Sequence, residues 1–256
     1  MQRGLAETRE RAQALILAGA VRIGDELATK PGQAVAPDAP VTLQSDAPPY
    51  VSRGGLKLVA ALERWRMDPA DRVALDVGAS TGGFTDALLQ AGARRVYAVD
   101  VGYGQLHYRL RNDPRVVVME RTNVRSLTSL PEQPQVAAVD VSFISLRLVV
   151  PPVLALLRPD APVVALVKPQ FEAGRGQVGK GGVVRDPVVH RQVLSQLGAW
   201  SAAQPWRLAD LMASPIRGPA GNVEFLSLWL PGAEPVSAET VERALAEAAL
   251  VGARTR

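Results

Sequence analysis

The chain has 256 residues, enough for one sizeable α/β core and a small additional domain. Apolar residues make up 47% of it and charged residues 21%, as in an ordinary globular protein, and the formal net charge is only +4. Because cysteine is absent, disulfides, thiolate zinc sites and cysteine nucleophiles are excluded. No apolar run is long enough to span a bilayer and no signal-peptide core begins the chain, so we expect a cytoplasmic protein without membrane association.

The first part of the chain has the pattern of a small α+β domain. Apolar spacing between Ala12 and Ile16 predicts a helix, and Val21–Ile23 and Val41–Leu43 predict short strands. A proline-containing stretch follows, which is typical of a linker. We therefore expect a small domain at 1–46, a linker at 47–53 and the main domain at 54–256.

From Val73 onward, strand-like runs alternate with helical patterns. The predicted strands are 73–75, 96–99, 116–119, 136–139, 163–167, 208–212 and 225–230. The predicted helices include 85–91, 146–157 and 187–203. This alternation indicates an α/β fold with a doubly wound, mostly parallel sheet that binds ligands at the carboxyl ends of its strands. No helix separates the last two apolar runs, so we expect one antiparallel edge strand.

A glycine-rich turn after the first strand of the main domain indicates a nucleoside cofactor. Asp76 precedes the turn, which runs from Gly78 to Gly83, and Asp100 follows the next strand. The turn lacks the spacing of a dinucleotide pyrophosphate loop, and two acids suit the amino group and ribose diol of S-adenosylmethionine better. A tight turn that binds no ligand is the alternative, which Asp100 makes weaker. The predicted cofactor residues are Asp76, Gly78, Ala79, Ser80, Thr81, Gly82, Gly83, Phe84, Asp100 and Asn123.

Two further motifs match this chain in residue type and spacing but lack a feature that their function requires. Residues 78–82 fit the G-x-S-x-G nucleophile elbow, but they lie on the first strand of the domain, so no earlier strand can supply an oxyanion hole. Residues 174–180 fit most of a phosphate-binding loop, but Gly181 stands where that motif needs Ser or Thr. We therefore expect neither a hydrolase nor an ATPase, and we predict no metal site.

Four charged residues lie where this fold places its active site. Asp140 and Lys168 directly follow apolar strands, Glu224 opens the last strand, and Lys57 lies on the helix before the first strand of the main domain. For any single residue a structural salt bridge is the better interpretation, but four such residues at one rim favour a site. A lysine there could orient or deprotonate a ribose hydroxyl, with the acids holding the lysines.

Five sequence segments in order strongly resemble the TlyA family, haemolysin-named proteins with an FtsJ-like methyltransferase domain. They are Tyr50–Leu58, Leu75–Thr85, Asp140–Leu146, Val167–Glu172 and Gly218–Phe225. The resemblance runs from about residue 3 to residue 231. It implies a Rossmann-like, S-adenosylmethionine-dependent enzyme that methylates the 2'-hydroxyl of cytidine in ribosomal RNA. It also implies a catalytic tetrad of Lys57, Asp140, Lys168 and Glu224.

Residues 3–45 resemble a small RNA-binding domain first seen in a ribosomal protein, so we expect ribosomal RNA or a ribosomal subunit as the partner. The family has a further helix before this segment, from which we expect an incomplete module and a preference for large-subunit RNA. The residues predicted to contact RNA are Arg3, Arg9, Arg11, Arg22, Lys30, Arg53, Arg175 and Lys180. Basic residues also exceed acidic ones in 94–125 and 147–191, which indicates either a polyanionic partner or a solvated arginine-rich surface.

Two other functions remain as alternatives. The first is an RNA-binding or ribosome-binding assembly factor with a vestigial cofactor site. The second is a membrane-lytic protein, as the family's historical name suggests, although no evident lipid-binding segment supports it.

Overall fold

The computed structural model describes residues 4–6, 9–17, 20–24, 26–28, 30–36, 38–43 and 49–253. In the described part of the N-terminal region, the elements are α1 (Arg9–Leu17), β1 (Val21–Ile23), β2 (Glu26–Leu27) and β3 (Val41–Leu43). The strands form an antiparallel sheet in the order β2-β1-β3. The predicted helix and two strands are thus confirmed, whereas β2 was missed because its two exposed residues carry no apolar alternation.

A mostly parallel sheet forms the centre of the main domain. Its strands within residues 49–253 are β4 (Val73–Val77), β5 (Arg95–Val99), β6 (Val116–Met119), β7 (Val136–Val139), β8 (Val163–Val167), β9 (Trp206–Ala213) and β10 (Phe225–Pro231). They lie in the order β6-β5-β4-β7-β8-β10-β9. The five strands from β6 to β8 are parallel to one another. The predicted doubly wound α/β fold is confirmed.

The outer strand β9 is antiparallel to its neighbour, as expected, but the strand that runs against the five parallel strands is β10, which lies inside the sheet. β10 runs antiparallel to both β8 and β9 and lies between them, while β9 is the outer strand. The burial of the two strands gives the reason. Residues 225–229 are buried on both faces, whereas β9 leaves several residues only half-buried. Placing β10 inside removes more apolar surface from water.

Helices cover both faces of the sheet. They are α2 (Gly54–Arg64), α3 (Gly83–Gln90), α4 (Tyr108–Arg111), α5 (Leu146–Leu156), α6 (Pro169–Glu172), α7 (Pro187–Ser201) and α8 (Ala238–Ala253). Apolar residues of α5, α7 and α8 pack against one face and those of α2 and α3 against the other. Because strand side chains alternate, Leu75 faces the first layer while Ala74 and Asp76 face α3.

No helix in the described ranges has both the length and the apolar character needed to cross a membrane.

Candidate active site

The order of the strands brings the predicted site residues to one edge of the sheet. β4, β7 and β8 are parallel neighbours, so Gly78, Asp140 and Lys168, which follow them, lie side by side. β10 is antiparallel, and Phe225 at its start pairs with Val167 at the end of β8. Glu224 therefore reaches the same edge from the opposite chain direction. This explains how residues far apart in sequence can converge there.

Lys57 and Glu224 form a buried ion pair. Lys57 Nζ lies 2.5 Å from Glu224 Oε2, and the two side chains are 8% and 2% exposed. Gly218 packs against the same carboxylate, since a Cβ at that position would lie 2.4 Å from Glu224 Oε1. Charges this well buried need a partner, so each residue holds the other in a fixed position.

Lys168 and Asp140 form a second, more accessible ion pair. Lys168 Nζ lies 2.6 Å from Asp140 Oδ1 and donates a hydrogen bond of 2.9 Å to Ser142 Oγ. The Lys168 and Asp140 side chains are 12% and 23% exposed. Ammonium and carboxylate are thus held in place and remain open to a ligand on one side.

Both ion pairs line a single cleft of ≈ 1070 Å³. The glycine turn forms another part of its wall through Gly78, Ala79, Ser80, Thr81, Gly83 and Phe84. A cleft of this size is large enough for a cofactor and part of a second substrate. The structure therefore brings the four charged residues and most of the glycine turn together.

Asp76 is a fully buried carboxylate beside this turn. Thr85 Oγ1 donates a 2.6 Å hydrogen bond to Asp76 Oδ2, whereas Oδ1 has no hydrogen-bond partner among the described residues. Burial raises the pKa of Asp76 to about 7, and the hydrogen bond from Thr85 acts in the opposite direction. A buried acceptor without a donor indicates a place for a polar or cationic ligand group.

The glycine turn lies close to the neighbouring loops. Gly78 has a φ of +87°, and a Cβ there would lie 2.3 Å from the carbonyl oxygen of Asp140. A Cβ on Gly83 would lie 2.2 Å from Ser52 Oγ. Asp100 fixes the other side of the turn, because its Oδ2 accepts a 2.7 Å hydrogen bond from the backbone N–H of Ser80 and its Oδ1 one of 2.6 Å from Gly102. The turn is therefore held in one conformation.

The remaining predicted cofactor residues lie around this wall. Asp76, Gly82, Asp100 and Asn123 are not among the described residues that line the cleft. Gly82 is the N-cap residue that precedes α3 and has a φ of +98°. Asn123 is exposed and accepts a 3.0 Å hydrogen bond from the N–H of Arg125, which caps a short 3₁₀ turn. The structure thus gives Asp100 and Asn123 local backbone roles.

The predicted RNA-contacting residues are spread between the cleft and other surfaces. Arg53 and Lys30 line the cleft, and Arg53 donates a hydrogen bond of 3.4 Å to the carbonyl oxygen of Arg217. Burial lowers the pKa of Arg53, with the Glu224 charge acting in the opposite direction. Arg9 and Lys180 are exposed, and Arg22 is half-buried on β1. Arg3 and the side chains of Arg11 and Arg175 lie outside the described residues.

Carboxylates pair with many arginines of the two basic segments. Glu132 pairs with both Arg94 and Arg95, and Glu242 pairs with Arg191. Arg111 and Arg115 likewise pair with acids. These guanidinium groups are partly neutralised, so the basic excess is smaller at this surface than the sequence suggested.

The sequence analysis did not single out Ser142 and Asn222, which line the cleft, or Phe143, which lies next to Ser142 in the chain. Ser142 accepts from Lys168, and Phe143 is 90% exposed with a φ of +65°. Asn222 is buried, accepts a 3.0 Å hydrogen bond from the N–H of Val184 and donates one of 3.0 Å to the carbonyl oxygen of Gly182. All three lie inside the sequence segments that resemble the TlyA family, and that position was the available signal.

Comparison with known proteins agrees with this architecture. A family model described as FtsJ-like methyltransferase matches residues 50–229, and one described as S4 domain matches residues 2–41. The chain is 48% identical over 233 residues to the 16S/23S rRNA (cytidine-2'-O)-methyltransferase TlyA of Mycobacterium tuberculosis (strain ATCC 25618 / H37Rv), covering 90% of this chain and 87% of that relative. It is 51% identical over 236 residues to a candidate rRNA methyltransferase, YqxC, of Bacillus subtilis (strain 168), covering 91% and 84%.

A solved structure has the same arrangement. A candidate hemolysin from Streptococcus thermophilus superposes with a TM-score of 0.80 at 40% sequence identity, covering 99% of this chain and 94% of that one. The family model matches more than half of the chain, and the relatives are similar over most of their length. The chain therefore belongs to the TlyA family of FtsJ-like methyltransferases and carries an S4 domain at its N-terminal end.

Proposed function

We propose that this protein transfers a methyl group from S-adenosylmethionine to the 2'-hydroxyl of a cytidine in ribosomal RNA. The observation that carries the proposal is the presence of two lysine–carboxylate pairs in the same cleft as the glycine turn. The mycobacterial relative bears the name of this activity. A ribosomal substrate also implies a cytoplasmic location.

The residues around the turn fit S-adenosylmethionine. Asp76 Oδ1 is a buried acceptor that lacks a donor among the described residues, which suits a cationic amino group. Most residues of the turn itself line the cleft. We infer that Asp76 and residues 78–84 hold the amino acid part. The contact of Asp100 with the ribose remains a prediction, in which its carboxylate accepts from the diol in addition to the N–H groups of Ser80 and Gly102. When bound, the cofactor supplies an electrophilic methyl group on a sulfonium.

Lys168 is the residue best placed to act on the acceptor. Its Nζ is held by Asp140 and Ser142, and the residue lines the cleft. We infer that Nζ orients the ribose 2'-hydroxyl oxygen towards the methyl group. As the oxygen–carbon bond forms and the bond from the methyl carbon to sulfur breaks, the hydroxyl proton passes to Nζ, which gives one of its own protons to the Asp140 carboxylate. The buried Lys57–Glu224 pair adds a second fixed ammonium to the same wall.

The N-terminal domain and the basic residues at the cleft support an RNA substrate. Lys30 and Arg53 both line the cleft, where they can neutralise phosphates next to the target nucleotide. We keep the domain limits of 1–46, 47–53 and 54–256 as a prediction. The preference for large-subunit RNA also remains a prediction, since the mycobacterial relative's name includes both 16S and 23S RNA.

The test is a methylation assay with methyl-labelled S-adenosylmethionine and separately purified small and large ribosomal subunits. We expect label in 2'-O-methylcytidine after nuclease digestion, and the labelled subunit decides the preference. Lys168→Ala should lower kcat by on the order of 100-fold or more. Lys180→Ala, which changes an exposed lysine that is predicted to contact RNA, should instead raise the KM for RNA without changing kcat.

A folded protein that places no label in RNA would refute the proposal. If calorimetry then also detects no cofactor binding, the assembly-factor alternative takes its place. Leakage of dye from liposomes treated with purified protein would instead support the lytic alternative.

A further inference from the structure

A four-residue helix directly after Lys168 runs alongside the loop that follows Asp140. Lys168 contacts the start of this loop through Asp140 and Ser142. Phe171 of α6 contacts its middle, because the ring centroids of Phe171 and Phe143 are 4.9 Å apart. Glu172, at the end of α6, contacts the end of the loop. The two segments that carry Asp140 and Lys168 are therefore joined at three successive points.

Glu172 makes the third of these contacts with both carboxylate oxygens. Oε1 accepts a 2.7 Å hydrogen bond from the N–H of Leu146, and Oε2 accepts one of 2.7 Å from Ser145 Oγ. Ser145 and Leu146 begin α5, where backbone N–H groups and the helix dipole favour an anion. Burial raises the pKa of Glu172, whereas its two hydrogen-bond donors and the charge of Arg147 favour the ionised form.

The loop between these contacts holds a strained conformation. Phe143 is not a glycine yet has a φ of +65°, and it is 90% exposed, so its contact with Phe171 covers little of the side chain and is not enough to fix that backbone alone. Such a conformation persists only where the surrounding structure imposes it. At the start of the loop, the N–H of Asp140 donates a 2.8 Å hydrogen bond to the carbonyl oxygen of Val77. At its end, Glu172 supplies the restraint.

We propose that Glu172 is a positioning residue, which fixes residues 140–146 so that Asp140 and Ser142 meet Lys168 in the geometry needed for methyl transfer. This inference rests on the proposed function. Glu172 is not among the described residues that line the cleft, so it acts through the loop and not on the substrate. Its loss should lower kcat and leave cofactor binding unchanged.

The experiment compares four variants in two measurements. Glu172→Ala should lower kcat by on the order of 100-fold, the scale of a small misplacement of reacting groups, with the KM for the cofactor unchanged. Glu172→Gln should retain most activity, because its amide can accept from Leu146 and donate to Ser145. Ser145→Ala should be intermediate. Glu247→Ala is the stability control, since it removes the acceptor of a 3.1 Å hydrogen bond from the N–H of Ala213 on β9.

Hydrogen exchange followed by mass spectrometry measures how firmly the loop is held, and this measurement does not depend on activity. Glu172→Ala should speed the exchange of the amides in residues 141–146, and Glu247→Ala should not. If the wild-type protein methylates no RNA, the proposed function fails, and the exchange result alone decides whether Glu172 fixes the loop. Unchanged exchange in Glu172→Ala would overturn the inference, as would a kcat loss in Glu247→Ala equal to that in Glu172→Ala.

Discussion

Substitutions at the Lys57–Glu224 pair can separate the contribution of this pair to stability from its contribution to methylation activity. Glu224→Met would leave the Lys57 ammonium, with a side chain only 8% exposed, without its carboxylate partner. Removing one partner of a buried ion pair typically costs about 3–5 kcal/mol. In a domain of this size that corresponds to a fall in Tm of about 6–20 °C. Solvent screening should reduce this figure only slightly, because both side chains are less than one-tenth exposed.

The double variant Lys57→Met/Glu224→Met should behave differently. Replacing a buried pair by apolar side chains of similar length is often neutral or stabilising, so the double variant should regain most of the lost Tm. Its methylation rate should nevertheless stay low, since the fixed ammonium has gone from the cleft wall. In this double-mutant cycle, the double variant should regain the Tm that the single variant loses, but it should not regain the methylation rate.

The measurements are thermal unfolding and single-turnover methylation for wild type, both single variants and the double variant. Arg243→Ala is a matched surface control, because the pairs that it removes with Asp210 and Glu247 lie at partly exposed positions and should change stability by about 1 kcal/mol or less. An unchanged Tm in Glu224→Met would refute the burial argument. A fully active double variant would show that the pair serves only the fold.

Three further changes test other parts of the site. Asp76 has its pKa raised to about 7 by burial, so the folded protein binds an extra proton below that pH, and the ligand-free protein should lose stability as pH rises from about 4 to about 7. Calorimetry should show cofactor affinity rising across the upper part of that range as the carboxylate ionises, and Asp76→Asn should remove both trends. Gly78→Ala should lower Tm strongly, because its Cβ would lie 2.3 Å from a backbone oxygen at a φ of +87°, whereas Gly104→Ala, with a φ of +69° and no atom within 4 Å, should cost only the backbone strain of about 1–2 kcal/mol. Asn222→Ala should speed tryptic cleavage after Lys180, since it removes the two hydrogen bonds that tie residues 182 and 184 to the start of β10, and an unchanged cleavage rate would contradict that role.

Local sequence patterns were sufficient to predict much of the fold. Apolar runs of three to five residues separated by helical periods predicted every parallel strand of the main sheet, because strands buried on both faces are mostly apolar. The first run was predicted too short, since β4 continues through the buried Asp76 to Val77. The glycine turn also predicted one wall of the cleft. Both signals depend on neighbouring residues, so one sequence is enough to read them.

What only the tertiary structure decided is which residues face one another. Lys57 pairs with Glu224, which is 167 positions away, and Lys168 pairs with Asp140; the sequence indicated two lysines and two acids without saying which joins which. That pairing follows from the placement of β10 inside the sheet, antiparallel to β8, whereas the sequence predicted only that some edge strand is antiparallel, without indicating which one. The position of a strand in a sheet depends on the total apolar surface that the whole domain buries, and no local pattern contains that sum.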